Sequence, residues 1–454
     1  MSHFRPVDRE TPFMLPPTVQ DWLPERHLAR FVVEVIEQLD LSKLERVYGG
    51  RGSAAYHPGM LVALLVYGYA TGTFSSRKIE RATYDSLAFR FIAANTHPDH
   101  DTLASFRRRF GGEFQSIFVQ VLQIARESQL SRFGKIALDG TKVYANASRH
   151  SALSYGHAER LEAQLETEVQ ELLALAEQAD TGAVPEGMSL PEELARRQER
   201  RAVIAEAKAR IAARAAERHA REQAEYEAKV AARQAKAQAS GKKPRGQEPK
   251  PPVAGPRPED QVNLTDDESR IMPVAGGGFE QCYNAQAAVD TESMLVVTTH
   301  VTQAPNDKEQ VAPMVEKLAR LPEGLGHPEV LLADSGYCSA GNVERCSEAD
   351  IEPLLATGRE AHHPHWQERF AEPEPLAAGA TAIQAMAHRL KTREGKQLYA
   401  LRKQTVEPVF GIIKSVLGFR QFLLRGLEAV RQEWTLVCLA WNFKRMAVLR
   451  LQGG

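Results

Sequence analysis

Two hydrophobic runs in this chain each stop at an aspartate that is followed by small residues. The first, KIALDGTK, stops at Asp139, and the second, EVLLADSGY, stops at Asp334. Short runs rich in Leu, Val and Ala are typical of strands buried on both faces. The carboxyl ends of neighbouring parallel strands meet at one edge of a sheet, where α/β proteins bind ligands. We therefore expect the two acids side by side at that edge, at a strand spacing of about 5 Å.

The composition indicates a globular protein with more than one domain. The chain has 454 residues, 43% of them hydrophobic, and its 57 basic and 58 acidic side chains leave a formal net charge of −1. The four cysteines follow neither a zinc spacing nor a disulfide framework, which favours a reducing cytoplasm. No apolar stretch is long enough to span a bilayer, and the first residues lack a signal-peptide core. We expect a soluble cytoplasmic protein without a membrane partner.

Residues 1–130 are interpreted as a helical N-terminal domain. The segment HPGMLVALLVYGYATG has apolar residues at helical spacing and begins near Pro58. Further short helices follow, and one of them carries three consecutive arginines, Arg107, Arg108 and Arg109. Two interpretations stand. The domain is either a helix-turn-helix type unit that binds DNA, or a helical packing domain whose arginines face solvent.

A long segment without strand character interrupts the rest of the chain. Residues 151–240 consist mostly of Ala, Glu, Arg, Gln and Lys, which predicts a two-helix hairpin or a coiled coil. Residues 241–264 are rich in Pro, Gly and Lys, which predicts a disordered linker. Strand-like sequence resumes directly afterwards. The block is therefore interpreted as an insertion into a core domain formed by residues 131–150 and 265–446.

The core domain has the element order of an α/β fold with a mixed sheet. Without the insertion, the order from Lys135 is three strands, a helix, a strand, a helix, a strand and a helix. The second and third strands suit an antiparallel hairpin that turns at residues 291–293. Three strands followed by alternating helices and strands is the order of the ribonuclease H-like fold. In that fold the strands that end at Asp139 and Asp334 are neighbours.

A third acid lies in the segment YALRKQTVEPVFGIIK near the C-terminus. Glu407 is followed by Lys414 after seven residues, nearly two helical turns, and Lys403 precedes it by one turn. This spacing predicts that all three side chains share one helix face while the apolar residues face the core. Pro408 disfavours helical geometry at Glu407 and predicts that the helix starts or kinks there. Two-metal sites usually recruit a third carboxylate of this kind.

In this order, ALDGTK, LLADSGY and TVEPVFGIIK resemble the motifs of the DDE transposases of bacterial insertion sequences, in the broad IS-four/IS-five-like assemblage. Residues 50–110 are similar to the helical N-terminal domain of that family. The resemblance implies that Asp139, Asp334 and Glu407 are the catalytic acids. It also implies that they hold two Mg²⁺ ions, for which Mn²⁺ can substitute, and that these ions serve DNA cleavage and strand transfer.

The family signature around the third acid is tyrosine, arginine, glutamate and lysine. This chain has Tyr399, Arg402, Glu407 and Lys414, and Lys403 stands where the commonest spacing has the arginine. The resemblance implies DNA contacts by these basic and aromatic residues and by the three N-terminal arginines. The implied partners are double-stranded DNA, as element ends and as target, and further copies of the chain in a dimer or higher oligomer. Bound to DNA, the protein would lie in the nucleoid.

Two other functions remain open at this point. The core domain could belong to another ribonuclease H-like nuclease, or to a DNA-binding relative without catalytic activity. Two histidine clusters suggest zinc only weakly, because no cysteine lies near them. They are interpreted as surface loops and comprise His97, His100, His362, His363 and His365.

Overall fold

The computed structural model describes residues 18–48, 55–178, 188–240, 246–358, 372–376 and 379–453. The chain divides into two compact units. The first comprises Met1–Asn146 and Met272–Gly454, and the second comprises Ala147–Ile271. In the sequence, the second unit is therefore inserted between two parts of the first.

The strands of the described residues form one large sheet and one separate pair. They are β1 (Lys135–Tyr144), β2 (Ala152–Ser154), β3 (Gln261–Asn263), β4 (Arg270–Pro273), β5 (Phe279–Asp290), β6 (Val296–Thr302), β7 (Val330–Ala333) and β8 (Glu352–Leu355). The large sheet has the order β4-β5-β1-β7-β8, and β6 also pairs with β5. Strand β1 is antiparallel to β5 and parallel to β7, and β7 is parallel to β8. This is the predicted mixed sheet of a ribonuclease H-like α/β core.

Helices form most of the remaining described structure. They are α1 (Leu28–Ile36), α2 (Ser42–Glu45), α3 (Pro58–Ala70), α4 (Ser76–Asp85), α5 (Leu87–Ile92), α6 (His100–Arg109), α7 (Phe114–Glu127), α8 (Tyr155–Gln178), α9 (Leu190–Ser240), α10 (Val311–Ala319), α11 (Ala340–Glu348), α12 (Ala382–Lys391), α13 (Arg393–Gly411) and α14 (Leu427–Gly453). Helix α13 contacts β1, β5 and β7, so it lies against the centre of the sheet. The described helices include none that is both long and apolar enough to cross a membrane.

The N-terminal helices share a compact unit with the sheet. Helix α3 buries twelve of its 13 residues. A helix that is apolar on every side requires neighbours all round it, and α3 packs against α1, α5 and α14. Helix α14 also packs against β6 and α7. The C-terminal helix thus joins the segment predicted as an N-terminal domain to the core domain.

Asp139 differs from its predicted place at the end of a strand. Strand β1 continues five residues past Asp139, to Tyr144. Within the strand, Asp139 pairs with Ala287 of β5. The parallel pairing with β7, however, stops at Ala137 and Leu332. The hydrophobic run ends at this point because β1 loses its parallel neighbour, whereas the longer β5 continues beside it. Asp139 is therefore a mid-strand residue at the edge of the parallel part of the sheet.

The second unit is a helical hairpin closed by a short strand pair. Strands β2 and β3 pair antiparallel, and α8 packs against α9. A small apolar core joins these elements, formed by Leu153, Ala158, Ile204, Ala207, Ile211 and Val262. Ion pairs between the helices, such as Glu162 with Lys208 at 2.7 Å, lie beside it. Of the residues between the two helices, 179–187 lie outside the described part.

Residues 246–264 differ from the predicted disordered linker. The structure places these residues, and they lead into strand β3, which pairs with β2. Asp260 accepts a hydrogen bond from Arg218 of α9 at 2.6 Å, and its own backbone carbonyl accepts one from Tyr155. Composition alone suggested disorder because the segment has few apolar residues. Charged contacts to α9 order it instead. Residues 241–245 lie outside the described part.

Candidate active site

Asp139 and Asp334, the strand acids, lie next to each other across the parallel strand pair. The register of β1 and β7 aligns Lys135 with Val330 and Ala137 with Leu332. Two residues beyond Ala137 and Leu332, the same strand register places Asp139 opposite Asp334. Asp334 follows β7 directly and caps a short helical turn, because its Oδ1 accepts the Gly336 N–H at 2.8 Å. The predicted juxtaposition is therefore present.

One guanidinium contacts all three predicted acids. Arg402 of α13 places Nη1 3.5 Å from Asp139 Oδ2 and 3.3 Å from Glu407 Oε1. Its Nη2 lies 3.5 Å from Asp334 Oδ2. Arg402 is buried, whereas Glu407 is exposed. Three carboxylates from a strand, a turn and a helix thus converge on a single positive charge.

Burial governs the electrostatics of this cluster. It raises the pKa of Asp139 to about 7, although Arg402 and the Gly140 N–H favour the ionised form. For Arg402, burial lowers the pKa, but Asp139 and other neighbours outweigh it, so the pKa is raised overall. Since little water reaches Asp139, its ionised form is stabilised by Arg402 and the Gly140 N–H rather than by solvent.

The structure distinguishes the two basic candidates that precede Glu407. Arg402 faces the acids, while Lys403, the next residue on α13, is exposed. Consecutive helical residues point about 100° apart, so only one of them can face the sheet. Tyr399 lies half-buried one turn before Arg402.

Helix α13 continues through Pro408 and then widens. Residues Ile412–Val416 form a π-helical turn, a feature frequently found at functional sites. Lys414 lies in this turn and donates from Nζ to the Lys142 carbonyl of β1 at 2.6 Å. Burial lowers the pKa of Lys414. The helix therefore does not start at Pro408, one of the two alternatives predicted there. Lys414 ties the end of the helix to the strand that carries Asp139.

The structure corrects the prediction that Arg107 contacts DNA. This side chain is buried, donates to the Tyr69 hydroxyl at 2.7 Å and lies 3.9 Å from Glu433 Oε1. Arg108 and Arg109 are exposed. Three successive residues of a helix point in different directions, so a packed helix such as α6 leaves only some of them in solvent.

Sequence reasoning missed a group of polar residues beside the strand acids. Asn284 and Gln286 of β5 are fully buried, and both donate to Asp307 at 2.7 Å. Their signal in the sequence is the pair of amides inside the hydrophobic strand CYNAQAAV. Buried amides require hydrogen-bond partners, and this pattern predicts a polar neighbour.

The described histidine cluster, His97 and His100, is occupied by other contacts. His97 stacks on Tyr84 at 3.7 Å between ring centroids, and His100 pairs with Glu80 at 2.7 Å. Among the described residues, no group of three or more His, Cys, Asp or Glu side chains is arranged to hold a metal ion. In the acid cluster itself, Arg402 lies between the carboxylates. His362, His363 and His365 lie outside the described part.

Comparison with protein families agrees with the fold. Residues 252–443 match the Transposase DDE domain, and residues 17–109 match the Transposase domain (DUF772). No curated protein and no solved structure matches the chain. A ribonuclease H-like core that matches a transposase domain defines a transposase or nuclease enzyme. The chain belongs to the DDE transposases of insertion sequences.

Proposed function

We propose that this transposase binds the terminal repeats of its element and catalyses metal-dependent DNA cleavage and strand transfer. Asp139, Asp334 and Glu407 act as the catalytic acids. The observation that carries the proposal is their convergence on the Arg402 guanidinium, at 3.3 to 3.5 Å from each. Three carboxylates this close together repel one another unless a positive charge lies between them, so the site is suited to cations.

The residues fit divalent cations of the magnesium type. Carboxylate oxygens are the ligands that Mg²⁺ and Mn²⁺ prefer, and Arg402 is a stand-in for the positive charge that they would supply. Asp139, Asp334 and Glu407 would hold two such ions. When bound, the ions would provide the Lewis-acid chemistry of two-metal phosphoryl-transfer sites.

Basic residues supply the positive charge that binds the DNA phosphates. With the acids compensated by cations, Arg402 is free to bind a phosphate oxygen beside the reacting bond. Other side chains on the same helix and on α6 would contact the DNA backbone; such contacts set affinity and register rather than sequence. We assign these contacts to Tyr399, Lys403, Arg108 and Arg109, with Lys414 at the end of α13. A dimer or higher oligomer would bring two element ends together.

The test compares isosteric variants of the acids on DNA that carries the element's ends. Asp139→Asn, Asp334→Asn and Glu407→Gln should each reduce cleavage and joining in Mg²⁺ to background. DNA affinity should stay near the wild-type value, because it comes from basic side chains. Glu348→Gln, at an exposed acid of α11, is the matched control and should retain full activity.

Each alternative outcome has a definite meaning. A variant that keeps near-normal cleavage would remove that residue from the catalytic acids. Wild-type protein that cleaves the ends but never joins them to a target would be a nuclease. Wild-type protein that binds the ends without cleaving them in either Mg²⁺ or Mn²⁺ would be an inactive DNA-binding relative.

A further inference from the structure

A polar cluster of three buried residues and one half-buried aspartate lies beside the strand acids. We call it the amide cluster: Asn284 and Gln286 of β5, Asp307 before α10, and Tyr337 in the turn after β7. Asn284, Gln286 and Tyr337 have no exposed surface. Burying polar groups costs free energy unless their hydrogen bonds are made, so this cluster needs a reason to exist in the core.

Asp307 is the acceptor that orders the cluster. Asn284 Nδ2 and Gln286 Nε2 each donate to Asp307 Oδ1 at 2.7 Å. The Tyr337 hydroxyl donates to Gln286 Oε1. Burial, together with the negative charge of the nearby acids, raises the pKa of Tyr337 well above its usual range, which keeps the hydroxyl protonated as a donor. Hydrogen bonds to an ionised acceptor are the stronger kind, which suits a carboxylate in this role.

The cluster also touches the backbone on which the strand acids stand. Gly140, the residue after the first acid, is the register partner of Gln286. A Cβ at Gly140 would lie 2.2 Å from Gln286 Nε2 and 2.6 Å from Asp307 Oδ1, so a larger residue there would displace these hydrogen-bonded groups. A Cβ at Gly336, two residues after the second acid, would lie 3.9 Å from Asp307 Cβ. Asp307 therefore lies against both acid-bearing segments.

We propose that Asp307 is a positioning residue of the active site, which holds the two acid-bearing segments at a fixed separation through the amide cluster. This inference rests on the proposed function of the strand acids. Catalytic constellations need their groups within about 0.5 Å of the productive geometry. A displacement of about 1 Å can cost about a hundredfold in rate. The segments belong to different strands, and β1 and β7 no longer pair at the level of the acids.

The experiment uses the full-length chain and four variants. Asp307→Ala removes the acceptor, Asp307→Asn keeps an oxygen acceptor without the charge, and Tyr337→Phe removes the third donor. Glu309→Ala, at an exposed acid two residues from Asp307, is the control. Each variant is first tested for its single-turnover cleavage rate, which is compared with its affinity for end DNA. Each is then tested for hydrogen–deuterium exchange in peptides that cover residues 137–145 and 332–340.

Asp307→Ala should lower the cleavage rate about 10- to 100-fold with unchanged DNA affinity, and should speed exchange in both peptides. Tyr337→Phe should do the same more weakly. Asp307→Asn should stay within about threefold of wild type, because its amide oxygen still accepts both hydrogen bonds. Glu309→Ala should match wild type in both measurements.

Two results would overturn the inference. If Asp307→Asn is as slow as Asp307→Ala, the charge of Asp307 acts directly and positioning is not its role. If Asp307→Ala leaves exchange in both peptides unchanged, the cluster does not hold the segments. The exchange measurement requires no DNA cleavage, so failure of the proposed function, seen as an inactive wild type, is distinguishable from failure of this inference.

Discussion

Replacing Glu433 by alanine should strongly destabilise the first compact unit. Glu433 is buried on α14 and accepts three hydrogen bonds, from the Tyr69 hydroxyl at 2.9 Å and from the backbone N–H groups of Leu423 and Leu424 at 2.9 and 3.0 Å. It is also the counter-charge of Arg107. These contacts link α3, α6 and the segment before α14.

The expected magnitude follows from what the substitution leaves behind. Removing one partner of a buried ion pair costs about 3–5 kcal/mol, because the remaining charge is uncompensated. Two backbone N–H groups would also lose their acceptor, at about 1 kcal/mol or more each where water cannot replace it. We expect Glu433→Ala to lower the free energy of unfolding by about 5 kcal/mol, a large part of a typical domain's stability.

Arg107→Ala should destabilise less, and its effect should depend on pH. Burial raises the pKa of Glu433, and Arg107 opposes that rise. Without Arg107 the carboxyl can take up a proton instead of remaining an unpaired charge. A raised pKa means stability that is present at low pH and lost as pH rises through the folded-state value. The cost of Arg107→Ala should therefore be larger at pH 8 than at pH 5.

Denaturant unfolding followed by tryptophan fluorescence measures these changes, because Trp434 is fully buried next to Glu433. Arg108→Ala and Arg109→Ala, at exposed neighbours of Arg107, are matched controls and should change stability by less than about 0.5 kcal/mol. If Arg107→Ala were as mild as these two at every pH, the buried network would not stabilise the fold.

Two further predictions concern the acid cluster and the DNA contacts. In a metal chelator, wild-type protein should lose stability relative to Asp139→Asn as pH rises from 5 to 8, because burial raises the pKa of Asp139 to about 7. The loss should reach at most about 2.6 kcal/mol, since the part of the shift between pH 3.8 and 5 falls outside this window. Parallel pH curves in thermal unfolding would argue against this. Replacing Arg108 and Arg109 together should weaken DNA binding. It should also reduce the slope of log affinity against log salt by about 1 for each lost phosphate contact. A binding isotherm and a salt slope that both match wild type would show that α6 does not contact DNA.

The sheet and its acids could be predicted because they depend on local sequence. Strand alternation and run length set the element order, and each acid is marked by the abrupt end of an apolar run. Glu407 was identified by resemblance and by its helical neighbours. Burial of a strand or of a helix face leaves a regular pattern of apolar residues along one segment, so these features can be recognised in the sequence.

The contacts within the site could not be predicted in this way. Whether Arg402 or Lys403 faces the acids depends on the rotation of α13 against the sheet, and one residue changes the direction by about 100°. The burial of Arg107 depends on Tyr69 and Glu433, which are 38 and 326 residues away in the chain.

By itself, the sequence determined the two acid-bearing runs, the inserted helical hairpin and the order of the core elements apart from strand β4, because each of these follows from the spacing of residues along one segment. Tertiary structure alone decided three things: that the third acid and Arg402 meet the strand acids, that β1 extends past Asp139, and that Asp307 orders two buried amides beside it. The reason is that these contacts join segments far apart in the chain, and their free energy comes from burial and charge pairing that exist only once the layers have packed.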